Sequence, residues 1–278
     1  MTAATICVET PALESTWTQT ATNTYNWNTL ANWTNGFPKD AGDVANLNID
    51  LAGNQTLRLQ QDIALGVLNL GDASGNSTLS IQNPTGGTSK LTFDNGAAAA
   101  QINTSGSSNP SNSITVPITL NSDLAVRLGG ADSLTFGSGA TPAAITTNNH
   151  DITFSGGIAS ATGIFLNGDI TGNGVITNSG NMAVSISGTK SFTGTLMANK
   201  GIGGSNTGSF TLTNGSLANA AEFIINGYLT NGITQNGGSI HAGSGTAFSD
   251  NPGQRLTTNT ITLNGGSLRS VGQPAVVN

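Results

Sequence analysis

The sequence contains a single cysteine, Cys7, in a chain of 278 residues. One thiol excludes an intramolecular disulfide framework and every zinc site that needs several cysteines. We therefore predict that Cys7 is a small apolar residue of an N-terminal strand, with an intermolecular disulfide or a reactive thiol as the alternatives. The stability of the fold must come from packing and from hydrogen bonds between strands.

Charged residues are also scarce, at 8% of the chain, and only eight residues are Lys or Arg. These basic residues are scattered singly, and the net charge is −6. Because no basic stripe could neutralise a phosphate backbone, nucleic acid is not an expected partner. No run approaches the ~20 apolar residues of a membrane-spanning helix. The N-terminal stretch lacks the basic and apolar regions of a signal peptide, so we expect none there.

A short strand followed by a tight turn is the unit that the sequence repeats. Residues 209–217 read SFTLTNGSL, in which apolar Phe210 and Leu212 alternate with threonines before an Asn-Gly turn. Similar units occur at 90–96, 133–139, 151–157 and 260–268. Alternation of this kind is typical of a strand with one buried face. One such unit is too short to bury that face alone, so we expect copies to stack on each other.

Apolar residues at the centres of these predicted strands recur at intervals of about 10 to 12 residues. They are Leu57, Leu68, Leu79, Leu91, Ile102, Ile114, Leu124, Leu134 and Ile145. Two or three strands with their corners would form a coil of roughly 22 to 33 residues, the size expected of a β-helix. The sequence therefore predicts an all-β protein built as a β-solenoid.

All three tryptophans lie near the N-terminus, at Trp17, Trp27 and Trp33. We interpret residues 1–45 as a Trp-rich segment that caps the solenoid or takes part in assembly, and residues 46–278 as the solenoid repeats. The open end of a solenoid core must be covered, so the rings could form a plug. They could alternatively form, with Tyr25, an exposed platform for glycans.

Two stretches resemble a known family. Residues 188–195, GTKSFTGT, followed by Ala198-Asn-Lys-Gly201, resemble the autotransporter-associated β-strand repeat. Trp27-Asn, Ala31-Asn-Trp33, Gly36-Phe-Pro38 and Gly42-Asp43 are similar to the N-terminal segment of large bacterial surface proteins that carry such repeats. The resemblance implies a right-handed parallel β-helix that is exported to, or displayed on, a bacterial surface.

The sequence offers little that is typical of a catalytic site. His150 and His241 form no paired-ligand motif, and no G-x-S-x-G nucleophile motif occurs. Asp123, Asp132 and Asp151 could align on one face if the coils had the right register, with Arg127 nearby. We therefore predict no enzymatic activity, no catalytic residues and no cofactor.

Calcium is the metal that the sequence accommodates best, because oxygen-bearing side chains occur in two Gly-rich turns, at 72–76 and 167–173. Neither turn has the spacing of a known calcium loop. We therefore interpret these Asp and Asn residues as turn formers.

Together these features predict a non-enzymatic structural protein, located outside the cell or on its surface. It would be a surface fibre, filament subunit or adhesive stalk that assembles head to tail. The Trp-rich cap would meet a C-terminal apolar edge formed by Val271, Ala275, Val276 and Val277. One alternative is an adhesin or viral tail-spike module that binds glycans or a receptor. A second alternative is a β-helix enzyme that degrades polysaccharides.

Overall fold

The computed structural model describes residues 11–105, 110–130, 132–137, 144–157, 163–180, 182–187, 191–192 and 195–198, and beyond them the strands at 209–213, 222–225, 229–230, 233–235, 239–242, 261–263 and 267–270. Cys7 and the predicted C-terminal assembly edge, at 271 and 275–277, lie outside this range. The one helix among the described residues is a 3-10 turn, η1, at Leu30–Asn32.

Three parallel sheets make up almost all of the described structure. The eleven strands of sheet A are β1 (Glu14–Thr16), β3 (Val44–Ile49), β6 (Val67–Asp72), β9 (Ala100–Thr104), β12 (Leu124–Leu128), β15 (Ile152–Gly156), β18 (Val175–Asn178), β21 (Thr195–Ala198), β23 (Glu222–Ile225), β26 (Ser239–Ala242) and β28 (Ser267–Ser270). The nine strands of sheet B are β2 (Asn23–Asn26), β4 (Gln55–Arg58), β7 (Leu79–Gln82), β10 (Ser111–Ile114), β13 (Ser133–Phe136), β16 (Gly163–Leu166), β19 (Ala183–Ser187), β22 (Ser209–Thr213) and β24 (Leu229–Thr230). The six strands of sheet C are β5 (Ile63–Leu65), β8 (Leu91–Phe93), β11 (Ile118–Leu120), β14 (Ile145–Thr146), β17 (Ile170–Gly172) and β20 (Ser191–Phe192). A separate parallel pair joins β25 (Ile233–Gln235) to β27 (Ile261–Leu263).

The chain visits sheets A, B and C in turn, and six successive turns, from β3 to β20, contain a strand of each sheet. Each strand pairs in parallel with the strand one turn earlier and the strand one turn later, as β12 does with β9 and β15. This arrangement is a β-solenoid, and it confirms the predicted all-β fold of stacked parallel coils.

All nine predicted strand centres, from Leu57 to Ile145, lie in strands and are buried. Leu57 of β4 pairs with Ile81 of β7, and Ile81 pairs with Ile114 of β10. The residues of the first pair are 24 positions apart and those of the second are 33 apart, so both coils fall within the roughly 22 to 33 residues that the sequence predicted. The sequence did not reveal β5 and β11, because one residue separates β5 from β6 and three separate β11 from β12, so both strands fall between the centres that the interval marks.

One continuous hydrophobic core runs through the described coils from Trp17 to Phe192. In sheet C, for example, Ile63, Leu91, Ile118 and Ile145 stack on one another inside the solenoid. Burying one such side chain contributes about 1.5–3 kcal/mol relative to leaving it in water. The core is thus distributed along the axis, with each coil covering its neighbours.

Outward-facing positions form polar ladders with little charge. Asn69 donates from Nδ2 to Oδ1 of Asn46 at 2.7 Å, and Asn103 donates to Oδ1 of Asn69 at 2.9 Å. On sheet C, the stacked outward residues are Ala64, Thr92, Thr119, Thr146 and Thr171. Parallel, in-register stacking places like side chains together, which is why Asn and Thr ladders can replace ion pairs here.

The end of β6 requires a glycine at Gly71. Its φ is +133°, and an added Cβ would collide with the carbonyl oxygen of Ser105 in the next coil. Only glycine allows two successive coils to approach so closely at this position. Within the described part of the chain, no helix has the length and apolar character needed to span a membrane.

Candidate functional site

The three tryptophans form one aromatic cluster at the N-terminal end of the core. The ring centroid of Trp33 lies 5.0 Å from that of Trp17 and 5.0 Å from that of Trp27, at interplanar angles of 76° and 58°. Tyr25 packs edge-on against Trp17 at 5.6 Å. These distances lie within the range that favours aromatic pairs. We call Trp17, Tyr25, Trp27 and Trp33 the aromatic cap.

Each indole N–H of the aromatic cap donates a hydrogen bond inside the protein. Trp27 donates to the carbonyl oxygen of Pro38 at 2.8 Å, and Trp33 donates to the carbonyl oxygen of Trp27 at 2.7 Å. Trp17 donates to Oε1 of Gln55 at 2.9 Å. Burial of these large rings therefore leaves no indole donor unpaired, which would otherwise be costly.

Burial of the aromatic cap weakens the idea of a glycan platform. Trp17, Trp27 and Trp33 expose 1%, 0% and 4% of their surface, so their faces are covered. Tyr25 is half-buried, and its hydroxyl donates to the carbonyl oxygen of Ala21 at 3.2 Å. A sugar-binding platform needs an accessible ring face, and none of these three tryptophans presents one. The rings lie inside the N-terminal end of the core, as a plug would.

Gln55 is a part of this site that the sequence did not single out. Its side chain is almost fully buried, and Nε2 donates to the carbonyl oxygens of Gln19 at 2.8 Å and Ala21 at 3.1 Å. With the bond from Trp17, Gln55 ties the segment between β1 and β2 to the first complete coil. The sequence could have indicated Gln55 only as a polar residue at an inward position of β4. Its partners, Trp17 and Gln19, lie a full coil earlier in the chain, so the sequence did not show what it would bind.

Residues 32–35 cover the outer edge of sheet A. Thr16 of β1 donates its backbone N–H to Oγ1 of Thr34, and the N–H of Thr34 donates to the carbonyl oxygen of Thr16, both at 3.0 Å. Nδ2 of Asn35 donates to the carbonyl oxygen of Glu14 at 3.0 Å. An antiparallel bridge joins Trp17 to Trp33. The backbone groups of an edge strand are a template for further strands, and here this segment occupies them.

Asp43 organises the corner where the chain enters sheet A. This buried carboxylate accepts the backbone N–H groups of Leu13 at 2.7 Å, Lys39 at 2.9 Å and Asp40 at 3.0 Å. The carbonyl oxygen of Lys39 in turn accepts the N–H of Ala64 in β5, the first strand of sheet C, at 3.0 Å. The Gly42-Asp43 pair of the sequence motif thus has a structural role, as does the Gly36-Phe-Pro38 turn that supplies the acceptor for Trp27.

Two of the three candidate carboxylates are adjacent. The backbone N–H of Asp151 donates to Oδ1 of Asp123 at 3.0 Å, and Nδ1 of His150 lies 3.3 Å from the same oxygen. Oδ1 of Asp151 accepts the N–H of Val175 at 2.7 Å. Each carboxylate therefore fixes the start of the next coil. Among the described residues, no Lys or Arg forms an ion pair with either of them.

The third candidate, Asp132, lies at a different corner, between β12 of sheet A and β13 of sheet B. It is fully buried, whereas Asp123 and Asp151 are exposed at the corner before sheet A. Arg127 is exposed on the outer face of β12, in register with Asn103 and Ser155. The register therefore does not align the three carboxylates on one face: Asp123 and Asp151 stack, and Asp132 lies apart from them.

Asp72, in the first candidate calcium turn, is surrounded by hydrogen-bond donors. Oδ1 accepts the N–H groups of Leu51 and Gly75, each at 3.1 Å, and Oδ2 accepts that of Ser77 at 2.9 Å. Burial raises the pKa of Asp72, but these bonds outweigh it, and the net pKa lies below the ordinary value. Donors directed at both oxygens suit a turn-forming carboxylate and oppose a cation.

The second candidate calcium turn, at 167–173, contains Asp169, whose Oδ1 accepts the N–H of Ile170 at 2.8 Å. Across the described residues, no three His, Cys, Asp or Glu side chains lie close enough together to hold a metal ion. The side chain of His241 and the turns around the 188–201 motif fall outside what the structure describes, although β20 and β21 lie within that motif.

The N-terminal site is therefore a built end cap: buried rings fill the core, residues 32–35 cover the edge of sheet A, and Asp43 holds the corner. Comparison with protein-family models, with curated proteins and with solved structures found no match, so the likeness to autotransporter-associated repeats rests on the motif residues alone.

Proposed function

We propose that the chain is a non-enzymatic structural β-solenoid, exported by a bacterium, that serves as a stalk or fibre segment on the cell surface. The observation that carries this proposal is the unbroken core shared by six consecutive three-strand turns. At a strand spacing of about 4.8 Å, the eleven strands of sheet A would span about 48 Å along the axis. Such a stack is stiff because each coil is bonded to both neighbours along three sheets.

The polar residues support a structural role, because many of them bond within the solenoid. Asp43, Asp72 and Asp151 accept backbone N–H groups, and the Asn46–Asn69–Asn103 ladder links three coils. An enzyme of this fold would instead need carboxylates that converge in an open cleft. Asp123 and Asp151 are adjacent but participate in coil-to-coil bonds, so the prediction that the protein is not an enzyme stays our proposal.

The covered N-terminal end favours a stalk over a head-to-tail filament. A filament that grew through this end would have to displace residues 32–35 from β1 and add a strand beside the aromatic cap. β2 presents the remaining edge, and there Oδ1 of Asn23 accepts the N–H of Thr24 while the carbonyl oxygen of Asn26 accepts the N–H of Thr29. We therefore place the end of the stalk at the aromatic cap.

The alternative of an adhesin or tail-spike module loses its main argument once the tryptophan faces are buried. A glycan or receptor would need another surface, and the large apolar side chains exposed among the described residues are Leu30 and Phe165, on separate elements. Leu30 and Phe165 do not form one continuous patch, so we do not favour an adhesin or tail-spike module.

Cell-surface display can be tested by labelling cells that produce the protein naturally. An antibody raised against the purified chain should label intact cells, and external protease should remove the signal without affecting a cytoplasmic marker. The labelling of permeabilised cells is the control for antibody access. If the protein is detected only after permeabilisation, the proposed location is incorrect.

A further inference from the structure

The corner between sheets A and B contains a buried carboxyl group that the structural role does not explain. Asp132 is 0% exposed, and neither Oδ1 nor Oδ2 accepts or donates a hydrogen bond. The backbone N–H of Asp132 is bonded to the carbonyl oxygen of Gly129 at 3.2 Å, so the residue itself is held in a turn. A buried charge without a partner is among the most costly features a fold can contain.

The surroundings of Asp132 provide polar groups but no compensating charge. The hydroxyl of Thr104, at the end of β9, accepts the N–H of Gly129 at 3.2 Å and keeps its own proton to direct at the carboxyl group, which lowers the pKa of Asp132 but by less than burial raises it. Ser105 follows Thr104 in the chain, Asn112 of β10 pairs with Leu134 of β13, and Ser105 Oγ and Asn112 Nδ2 are likewise buried without a partner. On the elements packed against Asp132, namely β9, β10, β12 and β13, the one other charged side chain is Arg127, which is exposed on the outer face.

A comparison with Asp72 shows why Asp132 favours its neutral form. Both carboxyl groups are fully buried at the corner that follows sheet A, two coils apart. Asp72 receives backbone N–H groups on both oxygens, which stabilise its charged form. Asp132 receives none, and burial raises its pKa. The side of the solenoid between sheets A and B thus holds, in one coil, a carboxyl group suited to the charged form and, two coils later, one suited to the neutral form.

We propose that the corner at Asp132 is a proton-dependent joint of the solenoid, held together when the carboxyl group is protonated and weakened when it loses its proton. As a neutral acid, Asp132 has an O–H donor and an acceptor, and it carries no uncompensated charge into the core. The released proton goes to solvent when the coil opens at this corner. The contribution of this joint to the stability of the fold is larger in acid than at neutral pH, whatever the protein's wider role.

The sign follows from linkage. The folded pKa of Asp132 lies above the value in the unfolded chain, so the folded state binds more protons between those two values. The stabilisation is fully present below the unfolded pKa and is lost as the pH rises through the folded pKa. Between those two pKa values, each unit rise in pH lowers the folding equilibrium constant by up to about tenfold through this one group.

The test compares Asp132→Asn with the unaltered protein in urea unfolding from pH 4 to pH 8. Asparagine has the same shape and cannot ionise, so the variant should equal the unaltered protein in acid and become progressively more stable than it as the pH rises. Asp62→Asn is the matched control: Asp62 is exposed, and its Oδ1 accepts the N–H of Lys90 at 3.1 Å, an acceptor that asparagine retains, so this variant should follow the unaltered protein throughout. Equal pH dependence of Asp132→Asn and the unaltered protein, or a loss of stability in the variant at neutral pH, would overturn the proposal.

Two further measurements keep the joint testable if Asp132→Asn does not fold. In the unaltered protein, the carboxyl ¹³C resonance of Asp132 should titrate above the ordinary range for aspartate, and titration below that range would overturn the proposal. At neutral pH, calcium chloride should leave the urea midpoint of the unaltered protein equal to its midpoint in sodium chloride of the same ionic strength. A selective rise in the stability of chains that retain Asp132, beyond that of Asp132→Asn where it folds, would mean that a cation, rather than a proton, neutralises the carboxyl group.

Discussion

Replacing Trp27 with alanine is expected to lower the free energy of unfolding by about 3–5 kcal/mol, as for other fully buried aromatic side chains. Trp27 exposes 0% of its surface, and its ring packs against Trp33 at 5.0 Å. The substitution would leave a cavity at the end of the core and remove the donor from the carbonyl oxygen of Pro38. Urea unfolding followed by circular dichroism would measure the loss.

The matched control is Leu30→Ala, in the 3-10 turn η1 that lies between Trp27 and Trp33 in the chain. Leu30 is 65% exposed, so its replacement should change stability by no more than about 0.5 kcal/mol. Trp27→Phe should fall between the two, because phenylalanine fills much of the space but cannot donate to Pro38. If Trp27→Ala unfolded at the same urea concentration as the control, the aromatic cap would not be a plug of the core.

Replacing Asp72 with asparagine is expected to cost about 1–3 kcal/mol at neutral pH. The carboxylate accepts N–H groups on both oxygens, and an asparagine side chain can present an acceptor on one side only. Its NH₂ group would then face the N–H of Leu51 and Gly75 or that of Ser77. The variant should retain the fold, since the apolar core is unchanged, but unfold at lower urea concentration.

The cost of Asp72→Asn should shrink in acid. The folded pKa of Asp72 lies below its unfolded value, so the stabilisation is present above the unfolded pKa and is lost as the pH falls through the folded pKa. This dependence is opposite in sign to that of Asp132, and Asp62→Asn again serves as the control. A cost that stayed constant from neutral pH to acid would show that the charge of Asp72 is not what its donors stabilise.

The overall architecture could be predicted from the sequence because its signals are local. Alternation around Leu57 and its counterparts marks strands with one buried face, and their regular spacing implies stacked coils. The spacing passed over β5 and β11, two strands of sheet C, because each lies only one to three residues before the next strand. With these strands included, each coil has three strands, where the sequence had allowed two or three.

The candidate site could be predicted only in part, because its chemistry depends on contacts between coils. Three tryptophans near one end indicated a cap, but whether the rings were buried or exposed depended on partners such as Gln55, which belongs to the next coil. The same holds for the carboxylates. Asp123 and Asp151 meet because they directly precede the paired first residues of β12 and β15, whereas Asp132 falls at another corner.

Small-angle X-ray scattering from the purified protein over a range of concentrations tests the central claim most directly, because it reports both shape and assembly. A capped stalk predicts the pair-distance distribution of a rod whose solenoid is at least about 48 Å long, with a length that does not change with concentration. A compact, nearly spherical distribution would contradict the solenoid stalk. A rod that kept lengthening beyond a pair of chains as the concentration rose would contradict the closed N-terminal end.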